Sequence, residues 1–316
     1  MTSGFHPVFS KSTKTLILGT APSVTSLKKQ EYYGHVGNQF WPLFTSFYRL
    51  DPLSYAERCQ KLLEFQLGLW DVYNQFQRIG SSDQSFVSTT VNTFDSHFLR
   101  EQLSLIIFNG KRAAKEGAKQ AFFTDKLTLT CPSTSGANNA QAHVREQKWF
   151  QAYQLHEHIR KSSLAKFHLF FGHSDTLKQA VFALRQEVFV HEQQISELDE
   201  FDWRDQTEDT NYFLVTSTDF SPVATIRFQT LSPTTVQPDR FCVQSDYRMQ
   251  HIGWDLLTLY ELYASFHGFH TSILSAELTA IDFYQKLGYH TSGDSFYEDG
   301  ILCQKMTKKP KNCKNG

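Results

Sequence analysis

Two α/β domains joined end to end are what this sequence predicts, on three observations. Strand-like and helix-like stretches alternate through the first half, a second such series begins near Leu164, and 316 residues exceed what one hydrophobic core usually serves. Charge divides the chain at the same place. Residues 1–163 hold 18 Lys and Arg against 12 Asp and Glu, a net of +6, and residues 164–316 hold 13 against 20, a net of −7, restoring the formal −1 of the whole. The expected boundaries are therefore 1–163, 164–309 and a disordered, Lys-bearing tail, 310–316.

In the first half, Thr15 to Leu18 is an apolar run that reads as a buried strand. The turn after it, Gly19-Thr20-Ala21-Pro22-Ser23, presents backbone N–H groups that suit a base or a phosphate. A helix-like gap leads to Gln30-Glu31-Tyr32-Tyr33-Gly34-His35-Val36-Gly37-Asn38-Gln39-Phe40-Trp41. Helical spacing covers 39–50 and 54–66; a strand follows at 67–73, then a strand at 103–108 with a helix at 111–120, a strand at 127–131 and a long amphipathic helix at 137–161. Such alternation gives a mostly parallel sheet covered on both faces, with ligands at the carboxyl ends of its strands. The last strand runs into Cys131-Pro132-Ser133-Thr134-Ser135-Gly136-Ala137-Asn138, three hydroxyls beside Pro and Gly, which suits phosphate oxygens.

Taken in order, G-x-x-P, Q-x-Y-Y-x-H-x-x-N-x-F-W and P-S-T-S-x-A-N resemble the uracil-DNA glycosylase superfamily in its hypoxanthine-DNA (deoxyinosine) glycosylase branch, family 6. The resemblance runs from about Phe5 to Lys161, and Gly68 to Val72, Arg78 to Asp83 and Phe108 to Lys111 add to it. It implies a three-layer αβα domain that acts on DNA containing deaminated bases and releases hypoxanthine, with uracil as a second base, and that needs no cofactor. It assigns to Asn38 the holding of the attacking water, to Phe40 stacking on the flipped base and to Tyr33 the pocket wall. Thr20, Ala21, Pro22 and Ser23 would surround the base, and Asp71 with Asp83 would order the pocket, two acids that equally suit exposed loops; Ser133, Thr134 and Ser135 would grip the flanking phosphates, with Gly136 to Asn138 near the gap left in the duplex. Ala21 stands where other branches carry an acid or amide and cannot hydrogen-bond through its side chain, which leaves Asn38. The family usually has Gly at Ser23, Pro or a basic residue near Val36 and Gly37, and Pro at Gly136; these departures bear on rate and substrate range. Read from the residues alone, an Asn before Phe-Trp also suits a helix N-cap and the aromatics also suit a core.

In the second half, strands are expected at 166–171, 212–216, 223–229, 240–244 and 273–276, and helices at 177–190, 249–267 and 280–286. Leu184-Arg185-Gln186-Glu187-Val188-Phe189-Val190-His191-Glu192-Gln193, Tyr247 to Leu257 and Phe283-Tyr284-Gln285-Lys286-Leu287-Gly288-Tyr289 resemble a GNAT-type N-acetyltransferase over about Asp175 to Lys308. The resemblance implies a mixed-sheet α/β domain that takes acetyl-CoA and acetylates a small amine or a protein. Its pyrophosphate cradle would be Val243 with Arg248, Met249, Gln250, His251, Ile252, Gly253 and Trp254, where a helix N-terminus supplies oriented N–H groups. His251 stands where the family has its first Gly. Tyr284 would reprotonate the coenzyme A thiolate. Glu187, Glu192, Asp199 and Glu277 all remain candidates for the general base.

The cysteines, Cys59, Cys131, Cys242, Cys303 and Cys313, form no C-x-x-C pair, so neither a zinc site nor a four-cysteine iron–sulfur cluster is spelled out. No apolar run approaches the roughly 20 residues that span a bilayer, and 1–14 is polar, so no membrane partner is expected and a soluble, cytoplasmic protein is. The basic half suits phosphate neutralisation and equally an ordinary solvated surface. Two other readings stay open: a first half that binds DNA or a nucleotide without catalysis, and a second half that is a degenerate interaction module.

Overall fold

The computed structural model describes residues 1–78, 86–94, 103–298 and 300–309, with the side chains of 139 and 140 left aside. Asp83, Cys313 and the tail 310–316 lie outside the described residues. The chain divides into two compact units, Met1–Arg160 and Lys161–Gly316.

The first unit runs β1 (Thr2–Ser3), β2 (Thr15–Gly19), α1 (Val24–Lys29), α2 (Phe40–Tyr48), α3 (Tyr55–Glu64), β3 (Leu67–Asp71), β4 (Tyr73–Arg78), β5 (Phe86–Val91), β6 (Leu105–Asn109), α4 (Lys111–Gly117), β7 (Thr128–Cys131) and α5 (Ala142–Lys161). Its main sheet has the order β3-β2-β6-β7, parallel throughout. The two-residue period of β2 explains the layers. Thr15 sends its hydroxyl to the buried His156 of α5, Oγ1 to Nδ1 at 2.7 Å, while His156 Nε2 meets Phe65 O at 2.8 Å just past α3. Leu16 and Leu18 face the opposite way into a core that includes Ala113 of α4 and Leu27 of α1. Helices thus cover both faces of this α/β unit. Two of its helices start on side-chain caps: Ser23 caps α1 by accepting Ser26 N–H, and Ser54 with Glu57 forms a capping box on α3.

The order of this sheet has a direct consequence for the site. From β2 the chain moves to β3 on one side, and from β6 it moves to β7 on the other. Their carboxyl ends therefore flank a point where connections diverge, the place such sheets leave open for a ligand.

The second unit runs β8 (His168–Gly172), α6 (Asp175–Arg185), α7 (Glu197–Glu200), β9 (Asn211–Thr216), β10 (Pro222–Ser232), β11 (Thr235–Val243), α8 (Ile252–Phe266), β12 (Thr271–Glu277), α9 (Ile281–Lys286), β13 (His290–Thr291), β14 (Phe296–Glu298) and β15 (Ile301–Lys308). The sheet order is β13-β15-β12-β11-β10-β9-β8, with β14 on β15, and only β11 with β12 is parallel, so the sheet is mixed. Alternation along β9 again builds both faces: Tyr212 and Leu214 pack with Leu177 and Val181 of α6, whereas Phe213 meets Tyr260 and Tyr263 of α8. Arg185 and Arg227 are buried and tied to acids. Arg185 forks onto Asp205 at 2.8 and 2.9 Å and reaches Glu200 at 2.5 Å; Arg227 holds Asp202 at 2.7 Å and Asp239 at 2.5 Å.

Several elements depart from the periodicity. The expected strand 67–73 breaks at Val72, where the chain leaves the parallel sheet for an antiparallel one, β1-β4-β5. Helix 137–161 begins as a 3-10 stretch, Gly136–Gln141, broken at Asn138, before α5. Helix 177–190 gives way after Arg185 to a π-helical segment, Gln186–Glu192. Helix 249–267 starts only at Ile252, because Met249 and His251 hold φ of 61° and 63°.

Candidate functional site

In the first unit, three loops leave the carboxyl ends of β2, β6 and β7 and meet. Gln39 N–H donates to Thr134 O at 2.8 Å, and a Cβ on Gly136 would stand 2.9 Å from Gly37 O, so the 34–39 and 133–138 loops touch. The β6 end ties them down. Asn109 Nδ2 donates to Thr134 Oγ1 at 2.8 Å, and Thr134 N–H donates to Asn109 Oδ1 at 2.9 Å, a two-point clasp on one residue. The turn after β2 is held from the other side, where Arg78 donates to Pro22 O and stacks on Phe76 and Phe86. Asn109 and Arg78 belong to the sequence blocks quoted above without having been given these roles.

Asn38 sits half-buried where these loops meet, one residue before the N-cap of α2. Its Oδ1 accepts Phe40 N–H at 2.9 Å, which fixes which end of the carboxamide is oxygen. One lone pair of that oxygen and the Nδ2 amide stay outside the bond. The aromatic stack beneath is ordered. Phe40 is 0% exposed, packed edge-on by Trp41 and Trp149, and Tyr33 lies over it at 4.3 Å with 31° between planes. The face that Phe40 was expected to offer is thus taken by Tyr33, a residue that is itself half-buried. Tyr33 Oη is buried, and burial followed by the Asp71 charge pushes its pKa above the ordinary tyrosine value, so it stays protonated. Gly19 is a steric necessity: a Cβ there would come 2.5 Å from Asp71 Oδ1 and 3.3 Å from Tyr33 Oη.

The hydroxyl loop does not act as one unit. Thr134, expected to meet phosphate, is 1% exposed and committed to Asn109, so it anchors the loop; burial removes it from any DNA-facing surface. Ser133 Oγ accepts Ser135 N–H at 3.3 Å and Ser135 Oγ accepts Ala137 N–H at 3.4 Å, leaving both hydroxyl protons able to donate outward. Asn138 Nδ2 donates to Ser133 O, and Arg145 donates to Asn138 O. Thr20 and Pro22 are buried, Ala21 packs against the core and Ser23 is spent on its cap. Val36 stands 92% exposed at the loop tip.

In the second unit, β11 and β12 pair only at Thr235 with Thr271 and Val236 with Ser272, then diverge. A cavity of about 790 Å³ opens between them, closed at one end by the start of α8. On its β11 wall the register against β10 slips between Thr225 and Arg227, and Arg240 takes φ of 47°, a β-bulge of the kind that re-aims side chains beside sites. Val243, Arg248, Met249, His251, Ile252, Gly253 and Trp254 line the cavity; Gln250 does not, its amide bonding Asp246 O at 2.9 Å. Arg248 is paired with Glu192 at 2.5 and 2.7 Å and donates to Val243 O at 2.9 Å, and that pairing holds Glu192 below the usual carboxylate range. Tyr284 lines the cavity from α9; burial, then the Glu277 charge, raises its pKa, so it is a proton donor at neutral pH.

Among the described residues no three His, Cys, Asp or Glu side chains gather as a metal site, and no helix is long and apolar enough to cross a membrane. The family model for the uracil DNA glycosylase superfamily matches residues 6–156, and that for an acetyltransferase (GNAT) domain matches residues 175–310. Residues of the chain are 35% identical over 156 positions to a protein named hypoxanthine DNA glycosylase from Methanosarcina barkeri, covering 48% of this chain and 97% of that one. The namesake in Methanosarcina acetivorans is 36% identical over 152 residues, 46% of this chain and 94% of its own. The uncharacterized protein YyaT of Bacillus subtilis is 33% identical over 126 residues, 40% of this chain and 84% of its own.

Proposed function

We propose, for a chain that belongs to the uracil DNA glycosylase superfamily through its first half and to the GNAT acetyltransferases through its second, that the glycosylase hydrolyses the N-glycosidic bond of deoxyinosine in DNA, with deoxyuridine as a second substrate. The observation that supports this reading is the contact of the 34–39 loop with the 133–138 loop, which brings the segment carrying Asn38 against the segment carrying Ser133 and Ser135. Base release passes through an oxocarbenium-like sugar, so the site needs a positioned water more than a strong base. Asn38 Oδ1, oriented by Phe40 N–H, accepts a hydrogen bond from that water with its second lone pair. The flipped base lies on Tyr33, which Phe40 supports from beneath, and the neutral Tyr33 hydroxyl remains a donor at any working pH. Ser133 and Ser135 donate to the phosphates beside the extruded nucleotide, and Asn138 keeps their loop in shape.

The second half takes acetyl-CoA as its acyl donor. The cavity between β11 and β12 has the size for a pantetheine arm, the unpaired edges of both strands offer it main-chain groups, and the first N–H groups of α8 at Ile252, Gly253 and Trp254 suit a pyrophosphate. Tyr284 supplies the proton that the leaving thiolate requires.

Incubation with a deoxyinosine oligonucleotide followed by alkali tests the first reading. Strand scission at the inosine position is expected from the intact chain. Asn38→Ala is expected to lose it by 100-fold or more while DNA affinity stays within a few fold; binding without scission by the intact chain at high enzyme would instead make this half a binding module.

A further inference from the structure

Val36 is apolar, yet it is 92% exposed, and the backbone beneath it is firmly tied. Asn38 N–H donates to His35 O at 2.9 Å, which closes residues 35–38 into a turn with Val36 and Gly37 at its corners. Gly37 N–H donates to His35 Nδ1 at 3.0 Å, and Gly37 O accepts from Gln39 Nε2 at 3.2 Å. Gln39 N–H in turn donates to Thr134 O at 2.8 Å, fastening the turn to the loop after β7. A β-branched side chain is stiff at its first torsion, so the isopropyl group projects from a fixed base. Asn38 follows two residues later, its Cα within about 7 Å of that of Val36.

The facing loop carries nothing comparable. Gly37 O lies so near Gly136 that a Cβ there would stand 2.9 Å away, so Val36 adjoins the stretch from Gly136 to Asn138 that was expected near the gap in the duplex. Within that stretch Gly136 has no side chain, the exposed Ala137 has one methyl group, and Asn138 is folded back with its Nδ2 on Ser133 O at 3.2 Å. Among the described side chains of the two loops, Val36 is the one apolar group larger than a methyl.

We infer that Val36 is the wedge of the glycosylase half: it enters the base stack beside the damaged nucleotide and fills the space left when that nucleotide turns into the site. This rests on the glycosylase reading above. Extruding a nucleotide from a duplex breaks its stacking on both faces, and proteins that unstack duplexes insert apolar side chains at the opened step. A polar side chain at the same tip would have to give up its water to enter, with no partner waiting inside the stack. Val36 acts only where there is a stack to open; a single strand gives it nothing to fill. Its contribution is to how much of the nucleotide stands extruded, and the hydrolysis of an extruded nucleotide proceeds without it. Size matters for the same reason: a larger apolar group fills more of the vacated space than the isopropyl group does.

The experiment measures single-turnover hypoxanthine release by the full chain from one deoxyinosine oligonucleotide, presented as a duplex and as a single strand, for wild type, Val36→Ser and Val36→Leu. Val36→Ser is expected to lower the duplex rate by about tenfold or more and the single-strand rate by less than about threefold, whereas Val36→Leu is expected to match or exceed the wild-type duplex rate. Extrusion itself is read with 2-aminopurine placed beside the inosine, whose fluorescence rises when its neighbour leaves the stack. In the Asn38→Ala background, where the base stays attached, that rise is expected with Val36 in place and is expected to be lost with Val36→Ser. Equal losses from duplex and single strand, a duplex rate indifferent to Val36→Ser, or a loss with Val36→Leu as large as with Val36→Ser would each overturn the inference. Release from neither form by wild type would instead remove the glycosylase reading, and the inference with it.

Discussion

At His251 a single backbone angle separates what the family pattern asks for from what this chain supplies. Its φ of 63° is left-handed, where a Cβ crowds the following carbonyl and costs on the order of 1 kcal/mol, and glycine escapes that cost. The strain is placed where α8 turns its first N–H groups toward the cavity. His251→Gly is therefore expected to raise the stability of the second unit by about 0.5–1 kcal/mol, part of the relief being offset by the greater freedom of glycine in the unfolded chain. Acetyl-CoA affinity should be equal or higher; thermal unfolding and titration calorimetry check the two, and a loss of stability would show that His251 makes a contact worth more than its strain. The same residue illustrates what a linear reading can see. That glycine usually stands at position 251 came from the resemblance to the acetyltransferases, and the positive angle supplies the reason. That Phe40 lies beneath Tyr33 was not legible, because Q-x-Y-Y-x-H-x-x-N-x-F-W names the rings without stating which one the chain buries.

Among the elements, the loop after β7 depends on a partner 25 residues earlier. Asn109 ends β6 and spends both ends of its carboxamide on Thr134, a pairing that no local pattern reveals because it joins two strand ends that are neighbours only in the folded sheet. Thr134→Val keeps the shape, removes the hydroxyl and leaves Asn109 Nδ2 buried without its acceptor, a loss of about 1–3 kcal/mol. Deoxyinosine release is expected to fall about tenfold or more, with a larger effect on kcat than on DNA affinity, since the loop shifts relative to Asn38 while Ser133 and Ser135 persist. Single-turnover kinetics with binding measured separately decides it; wild-type kcat would show that the clasp is dispensable. The parallel strands and their helices could be read from apolar runs and turn residues. The β4–β5 hairpin and the C-terminal strands β13 to β15 could not: they are short or polar, and their places come from pairing with strands already laid down.

For the molecule as a whole, the two units carry their stability differently. The first rests on aromatic packing, with Phe40, Phe44, Tyr153 and Trp149 in one continuous cluster. The second adds a buried ionic lattice around Arg185 and Arg227. Burial alone would lift the pKa of Asp202 and of Asp205, but hydrogen bonds and charge from Arg227 and Arg185 respectively overcome it and hold both below the ordinary aspartate value. A depressed folded pKa means stability that is present above the unfolded value, about 3.9, and is lost as pH falls below it. Acid should therefore weaken the second unit first: between pH 5 and pH 3 its thermal transition is expected to drop further than that of the first unit, resolved by calorimetry on the intact chain and assigned by which transition acetyl-CoA raises. A second unit that outlasts the first in acid would mean the lattice contributes little. The charge division of the sequence did not reveal that the acidic half keeps several of its acids inside.

The parting of β11 from β12 after two paired positions leaves a sheet whose middle is unfinished. Main-chain groups beyond Val236 and Ser272 stay apart across the cavity, so on the reading proposed above the acyl donor would enter as a guest strand. Its arrival would knit the two halves of that sheet into one, and its departure as the free thiol would reopen the seam.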